Sequence, residues 1–149
     1  MSSYDKTLMS LTHTLIHSAR AYKSAADALS ADFELSHASA WPIVMISRLG
    51  DGARPGQVAD AVGIEPPSLV RIIDQLVNAG LVLRQDDPSD RRAKTLSLTA
   101  AGKRMAERLE KALVPFRREL FKDMPQADVE ATVRVLMKLD QVLAGRNAS

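Results

Sequence analysis

The stretch from Gly63 to Thr99 constrains the fold most, because its hydrophobic period changes once along its length. The first half repeats apolar residues every three or four positions, as at Leu69, Ile73 and Leu76, which is typical of an amphipathic helix. Two prolines precede this run, where a first helical turn tolerates them, and Gly80 follows it, where a helix favours a left-handed residue. The spacing predicts a helix of roughly three to four turns.

The second half of the stretch alternates apolar and polar residues, which predicts two strands at residues 81–84 and 94–98. The segment between them reads DDPSDRR, in which Asp87, Pro88 and Ser89 supply turn chemistry and two adjacent arginines follow. A helix with a polar face beside a hairpin with a basic tip is typical of a winged helix-turn-helix. Gly63, in the turn before this helix, suits the close approach of the two helices of a helix-turn-helix.

Three segments, PSLVRIIDQL, DPSDRRAKTLSLT and TAAG, resemble the MarR family of bacterial transcriptional regulators, and most closely its SlyA-like branch. The resemblance covers almost the whole chain. It implies a mainly α fold with a small β-hairpin wing, built as a single domain over residues 1–149. Within it, residues 36–99 are expected to form the winged helix-turn-helix DNA-binding region, and residues 4–31 and 100–145 the dimerisation helices.

The flanking segments carry the apolar spacing of long helices. Residues 4–31 place Leu8, Leu15, Tyr22 and Leu29 at steps of seven. The last helix, which we expect to start at Pro125, repeats apolar residues at threes and fours, at Val129, Val133, Leu136, Leu139 and Leu143. Narrow apolar seams of this kind favour pairing with other long helices over filling one small core.

Residues 36–49 predict a second helix, although Pro42 lies inside the segment. Because proline is tolerated only near a helix start, the regular helix is expected either to begin close to Ala40 or to kink after the proline. The buried side of this helix is predicted to carry Trp41, Val44, Met45 and Leu49.

Length and composition agree with one small helical domain. The 149 residues are 46% hydrophobic, 4% aromatic and 26% charged, and no apolar run approaches the roughly 18 residues of a membrane span. The N-terminus lacks the layout of an export signal, so we expect a cytoplasmic protein without a membrane partner. There is no cysteine, which excludes disulfides and thiol-based oxidant sensing. The net charge of +2 with a pI of 9.1 favours a local basic surface.

The candidate DNA-binding residues lie on the polar face of the predicted helix and in the wing. Arg71 is placed to read guanine in the major groove, with exposed pairing to Asp74 or Gln75 as the alternative. The resemblance implies that Arg91 enters the minor groove; Arg92 and Asp90 are expected to brace the loop, and the alternative is a merely solvated hairpin tip. The full set is Pro67, Ser68, Arg71, Gln75, Arg84, Asp90, Arg91, Arg92 and Lys94, with Arg84 and Lys94 suited to phosphates.

A candidate effector site combines Arg20, His37 and Trp41. The resemblance implies that Arg20 helps to hold small aromatic carboxylates between the dimerisation and DNA-binding regions. A guanidinium takes a carboxylate bidentately, and an aromatic side chain stacks on a flat ligand. Arg20 is equally suited to an ion pair between helices.

His13 and His17 stand four residues apart on the first helix, a spacing that also occurs at zinc sites. Without cysteine or a neighbouring carboxylate, polar surface or a pocket lining is the favoured interpretation, so we predict neither a metal nor a cofactor. The sequence lacks a glycine-rich phosphate loop, HExxH and GxSxG, which argues against an enzyme.

These patterns together predict a sequence-specific regulator that binds double-stranded DNA as a homodimer on a pseudo-palindromic operator. Repression, relieved by a small aromatic anion, is the expected mode of action. The alternatives are a metal-responsive regulator using His13 and His17, and a winged-helix scaffold for protein contacts.

Overall fold

The computed structural model describes residues 1–33, 35 and 37–148, and of residues 37 and 38 the backbone. Six helices and one hairpin follow one another along this part of the chain. They are α1 (Ser3–Ser30), a short 3-10 turn (Ala31–Phe33), α2 (His37–Leu49), α3 (Pro55–Val62), α4 (Pro66–Asn78), β1 (Val82–Asp87), β2 (Asp90–Leu98), α5 (Ala100–Phe121) and α6 (Gln126–Asn147). The prediction of a mainly α fold with a hairpin wing is confirmed.

Helix α1 begins with a reciprocal cap. The Asp5 backbone N–H donates to Ser2 Oγ at 3.0 Å, and the Ser2 N–H donates to Asp5 Oδ2 at 2.8 Å. Hydrogen bonding of the Asp5 carboxyl with the Ser2 side chain, followed by that with the Ser2 backbone N–H, lowers the pKa of this carboxyl. Only Ala26 and Ser30 of α1 are buried, so most side chains of this helix are accessible to solvent in the single chain.

Helix α2 supplies the centre of the core. Ile43 and Ile46 are fully buried, although the expected buried side did not include them. Leu49 was expected to be buried, and this was wrong: it is 45% exposed, because it is the last residue of α2. The helix begins at His37 and contains Pro42, so it starts before the position near Ala40 that the proline suggested.

Helices α3 and α4 form the helix-turn-helix. Gly63 closes α3 with a φ of +81°, in the left-handed region that favours glycine. Ala59 is buried at this close approach, and Ile64 packs on the core from the turn. Leu69, Ile73 and Leu76 of α4 are buried, as their spacing predicts.

The wing is longer than the alternation predicted. Its strands pair antiparallel from Val82 with Leu98 to Asp86 with Lys94, and a register shift follows between Asp86 and Asp87. Ala53 adds a single bridge to β2: its N–H donates to the Leu96 carbonyl at 3.0 Å, and the Leu96 N–H donates back at 2.7 Å. The root of the hairpin is thereby joined to the segment that precedes α3.

The start of α5 packs tightly against the end of α4. Thr99 caps α5 by accepting from the Gly102 N–H at 3.0 Å, and its own hydroxyl donates to the Gly80 carbonyl at 2.6 Å. A Cβ at Gly102 would overlap the carbonyl oxygen of Leu81, so only glycine fits there.

The described chain divides into two compact units, residues 1–112 and 113–149. In the second unit, no described residue of α6 is buried. Its apolar side chains, together with the end of α5, line an open groove whose walls include Phe121, Met124, Val129, Val133 and Leu136. None of the described helices combines the length and the apolar character that a membrane span requires.

Candidate nucleic-acid interface

Helix α4 presents two distinct faces because its sequence separates apolar from polar residues. The apolar face is buried in the core, whereas Pro67, Ser68, Arg71 and Gln75 are all exposed. The two prolines occupy the first turn, and Glu65 precedes them without a side-chain cap. The four exposed positions span two turns of one helix face, which is the arrangement that reads base edges in a major groove.

The first strand of the wing is tied to α4 by charge. Arg84 forms an ion pair with Asp74, the carboxylate that the sequence offered as an alternative partner for Arg71. Across the hairpin, Lys94 pairs with Asp86. The two wing cations suited to phosphates therefore each have a carboxylate partner, and both partners are more than half exposed.

The tip of the wing is ordered by its own acidic residues. Asp90 Oδ1 accepts a hydrogen bond from the Arg92 backbone N–H at 3.0 Å, as expected of a loop brace. Arg91 and Arg92 themselves are exposed. Two adjacent guanidinium groups are thereby presented to solvent at one end of a short hairpin.

Asp87 is the charged group that sequence reasoning missed at this site. Its Oδ1 accepts from the Ser89 backbone N–H at 2.9 Å and from the Ser89 hydroxyl at 2.8 Å, while Arg54 Nη2 donates to its Oδ2 at 2.6 Å. The hydrogen bonds from Ser89, followed by the charge of Arg54, lower the pKa of the Asp87 carboxyl. The turn sequence signalled Asp87 as a turn residue, but nothing in the sequence signalled its partner at position 54.

The residues proposed for an effector site have separate surroundings. Arg20 is exposed on α1, and the His37 side chain lies outside the described residues. Trp41 is half-buried, and the guanidinium carbon of Arg48 lies 5.6 Å from the centre of its ring. Arg48 also pairs with Glu110 at 2.8 Å, so the cation that the structure places on Trp41 comes from α2 itself.

His13 and His17 are exposed, and their rings stack with centroids 6.3 Å apart. Within the described ranges, no cluster of three or more His, Cys, Asp or Glu side chains suits a metal ion. A metal-responsive role is not favoured by this geometry.

The winged-helix region matches a known family. Residues 43–94, from α2 through the wing, match the model of the MarR family. The chain has the winged-helix fold of the MarR family. That family and the structural neighbours described below are transcriptional regulators.

Several solved structures share the MarR fold over most of their length. The transcriptional regulator PA3341 is 25% identical, with a TM-score of 0.83, and the match covers 91% of this chain and 98% of that one. CouR from Rhodococcus jostii RHA1, solved bound to p-coumaroyl-CoA, is 24% identical with a TM-score of 0.77, covering 87% and 90%. A mutant MarR from E. coli complexed with operator DNA is 20% identical with a TM-score of 0.74, covering 93% and 99%.

Proposed function

We propose that the protein is a MarR-family transcriptional regulator that binds double-stranded DNA sequence-specifically, nearest in its motifs to the SlyA-like branch. One observation carries this proposal: the exposed polar face of α4 stands beside a hairpin whose tip presents Arg91 and Arg92. The exposed helix face suits the major groove of a DNA duplex, and the basic hairpin beside it suits the minor groove of the same duplex. The operator complex of a MarR with the same fold supports this use of it.

Each group of residues has a distinct task in this proposal. Arg71 donates bidentately to guanine O6 and N7, with Pro67, Ser68 and Gln75 contacting the neighbouring edge and phosphates. Arg91 enters the minor groove, where the negative potential is strongest. Arg84, Arg92 and Lys94 contribute positive charge along the phosphates, and Asp90 holds the tip.

We propose a homodimer because the apolar surface of the second unit lacks cover within the described chain. No described residue of α6 is buried, and Val133 and Leu143 are about half exposed. A second copy that covers these side chains removes apolar area from water, and two-fold symmetry places two α4 helices on a pseudo-palindromic operator about 10 base pairs apart.

Selection of bound fragments from random duplex DNA, followed by fluorescence anisotropy on the selected site, tests the DNA-binding proposal. We expect a pseudo-palindrome and a steep decrease of log K with log salt concentration. Arg91→Ala should reduce that slope by about 1 if its guanidinium neutralises one phosphate. Binding that does not discriminate the selected site from random duplex would contradict the proposal.

We further propose that the protein represses and that a small aromatic carboxylate relieves repression. Arg20 is exposed on α1 and free to approach a ligand in solvent, and Trp41 offers an aromatic face near the core. The CouR structure holds p-coumaroyl-CoA, which supports a ligand with an aromatic ring on this fold. Such a ligand acts only by binding the DNA-free arrangement better than the DNA-bound one.

Titration of the operator complex with salicylate-like anions tests this effector. We expect millimolar anion to release DNA, and Arg20→Ala to abolish the release while leaving ligand-free DNA binding unchanged. A matched series of inorganic salt controls for screening. Release at the same concentration in both series would exclude a specific anion site.

A further inference from the structure

The wing needs support beyond its own hydrogen bonds. A two-stranded hairpin is marginally stable in isolation, and this one carries Asp90, Arg91 and Arg92 at its far end. Its root is held by the backbone bridge between Ala53 and Leu96, and its first strand by the ion pair of Arg84. Neither of these ties reaches the turn, where the two arginines lie.

A third contact, the ion pair of Arg54 with Asp87, reaches the turn from the start of α3 and is called the tie below. Arg54 Nη2 donates to Asp87 Oδ2 at 2.6 Å, and Asp87 is the last residue of β1 before the turn. The Asp87 side chain is only 9% exposed, whereas that of Arg54 is 51% exposed. The carboxylate is therefore largely covered by protein, whereas the guanidinium remains half open to solvent.

Both ends of this tie are fixed in place. The Arg54 backbone N–H donates to Gln57 Oε1 at 2.9 Å at the start of α3, and the preceding residue, Ala53, is bonded to β2. At the other end, Ser89 holds Asp87 Oδ1 through two hydrogen bonds. Since the Arg54 backbone and the Asp87 carboxylate are held independently of the ion pair, the entropy lost when it forms is mainly that of the arginine side chain.

Arginine is an unusual choice at position 54. It stands at the residue that precedes the first turn of α3, where Ser, Thr, Asp or Asn would accept a backbone hydrogen bond. A guanidinium has no acceptor, so Arg54 makes no side-chain cap, and the hydrogen bond at this helix start runs the other way, from the Arg54 backbone N–H to Gln57 Oε1. The Arg54 side chain therefore takes no part in capping α3 and bonds to Asp87 in the wing.

We propose that Arg54 is a positioning residue for DNA binding: its ion pair with Asp87 fixes the wing tip relative to the helix-turn-helix, so that Arg91 is placed before DNA arrives. The inference rests on the proposed DNA-binding function. A tip held in place loses less conformational entropy on binding than a free hairpin, and this smaller loss increases the affinity for DNA. Arg54 acts through the wing and does not itself contact DNA.

The first experiment measures how far the Arg54–Asp87 ion pair orders the wing tip in the absence of DNA. Hydrogen exchange is compared between the wild-type protein, Arg54→Ala, Asp87→Asn and a matched control, Arg48→Ala, which removes an exposed arginine and its ion pair elsewhere in the same unit. Asp87→Asn keeps the Oδ1 acceptor for Ser89 and replaces only the atom that faces Arg54. We expect faster exchange of the wing-tip amides in both tie variants and unchanged exchange there in the control.

The second experiment measures affinity for the selected operator. We expect Arg54→Ala and Asp87→Asn each to weaken binding about fivefold, the low end of typical coupling between sites. The double variant should bind no worse than either single one, and Arg54→Lys should restore part of the loss. In the Arg54→Ala background, Arg91→Ala should cost less than it does in the wild-type protein.

The outcomes separate the tie from other roles. If Arg54 contacted a phosphate directly, Asp87→Asn would leave binding unchanged or strengthen it, and the positioning role would be wrong. If wing exchange is unchanged in both tie variants, the inference fails even where the wild-type protein binds its operator. Faster exchange in the tie variants together with no specific binding by the wild-type protein would instead contradict the proposed function.

Discussion

The winged-helix region and the C-terminal unit use similar apolar spacing with opposite results. In the first, several large apolar side chains are fully buried within the chain, among them Ile43, Ile46, Leu69, Leu76 and Leu96. In the second, comparable side chains remain 47–61% exposed, among them Met124, Val133, Val135, Met137 and Leu143. The comparison teaches that apolar periodicity marks a face that needs a partner, whereas the location of the partner is a separate question.

The two regions differ in charge as well. In the first region, the ion pairs of Arg54 and Arg84 join the wing to other elements, and a third, exposed pair at Lys94 lies within the hairpin. The root of the wing is buried through Val82, Leu96 and Leu98, whereas its far half is polar, so hydrogen bonds and charge position the tip. In the second unit, Lys122 pairs with Glu119 three residues before it, at the end of α5. Such exposed pairs contribute little to stability.

The largest effect is expected in the core of the first region. Leu76→Ala should lower the free energy of unfolding by about 2–5 kcal/mol, because it removes a fully packed side chain and leaves a cavity. Denaturant unfolding at two protein concentrations measures it. Leu143→Ala in α6 should cost much less at low protein concentration, where no partner covers it. Equal losses in the two variants would break the contrast between the regions.

A charge in the seam of α6 should affect assembly. Leu139→Asp is expected to weaken self-association more than about a hundredfold, because an unpaired carboxylate in an apolar interface costs several kcal/mol. Sedimentation velocity follows the monomer, or the loss of folded protein if the unit needs its partner. The matched control is Gln141→Asp, an exposed polar position on the same helix. A stable and fully dimeric Leu139→Asp would show that the seam faces elsewhere.

The outer face of α4 should separate DNA recognition from stability. Arg71→Ala is expected to weaken operator binding by about 1–3 kcal/mol, with binding to random duplex nearly intact and an unchanged unfolding midpoint, since base contacts specify and this side chain is exposed. Arg104→Ala, an exposed arginine on α5, is the control. Equal losses on both duplexes would exclude a base-reading role.

The smallest expected effect is the loss of the stability contributed by Asp87 at low pH. The pKa of Asp87 lies below its ordinary value of 3.8, so the carboxylate contributes stability above that value and loses it as the pH falls through the folded-state pKa. The stability difference between the wild-type protein and Asp87→Asn should therefore be constant above about pH 5 and shrink towards lower pH. Thermal unfolding from pH 7 to pH 3 measures it. A difference that grows with acid would reverse the assigned sign.

The sequence by itself determined the elements whose signals are local. Gly63 and Gly80, each with positive φ, end their helices where the chain needs left-handed backbone. The buried face of α4 followed from its spacing, because a helix with one apolar stripe has only one side to bury. The exposure of Arg71 followed for the same reason, and that of Arg91 from its place in the charged tip of a hairpin, so both were predictable as surface positions.

Only the tertiary structure decided which distant residues meet. Arg54 and Asp87 are 33 residues apart, and no local period relates a helix start to a hairpin turn. Leu49 carried the right spacing but lies at the end of its helix, beyond the core. Gly102 is required by the backbone of Leu81, which lies in the turn between α4 and β1. Periodicity reports the shape of one element, whereas side-chain partners and close contacts depend on how several elements pack, which a single segment does not encode.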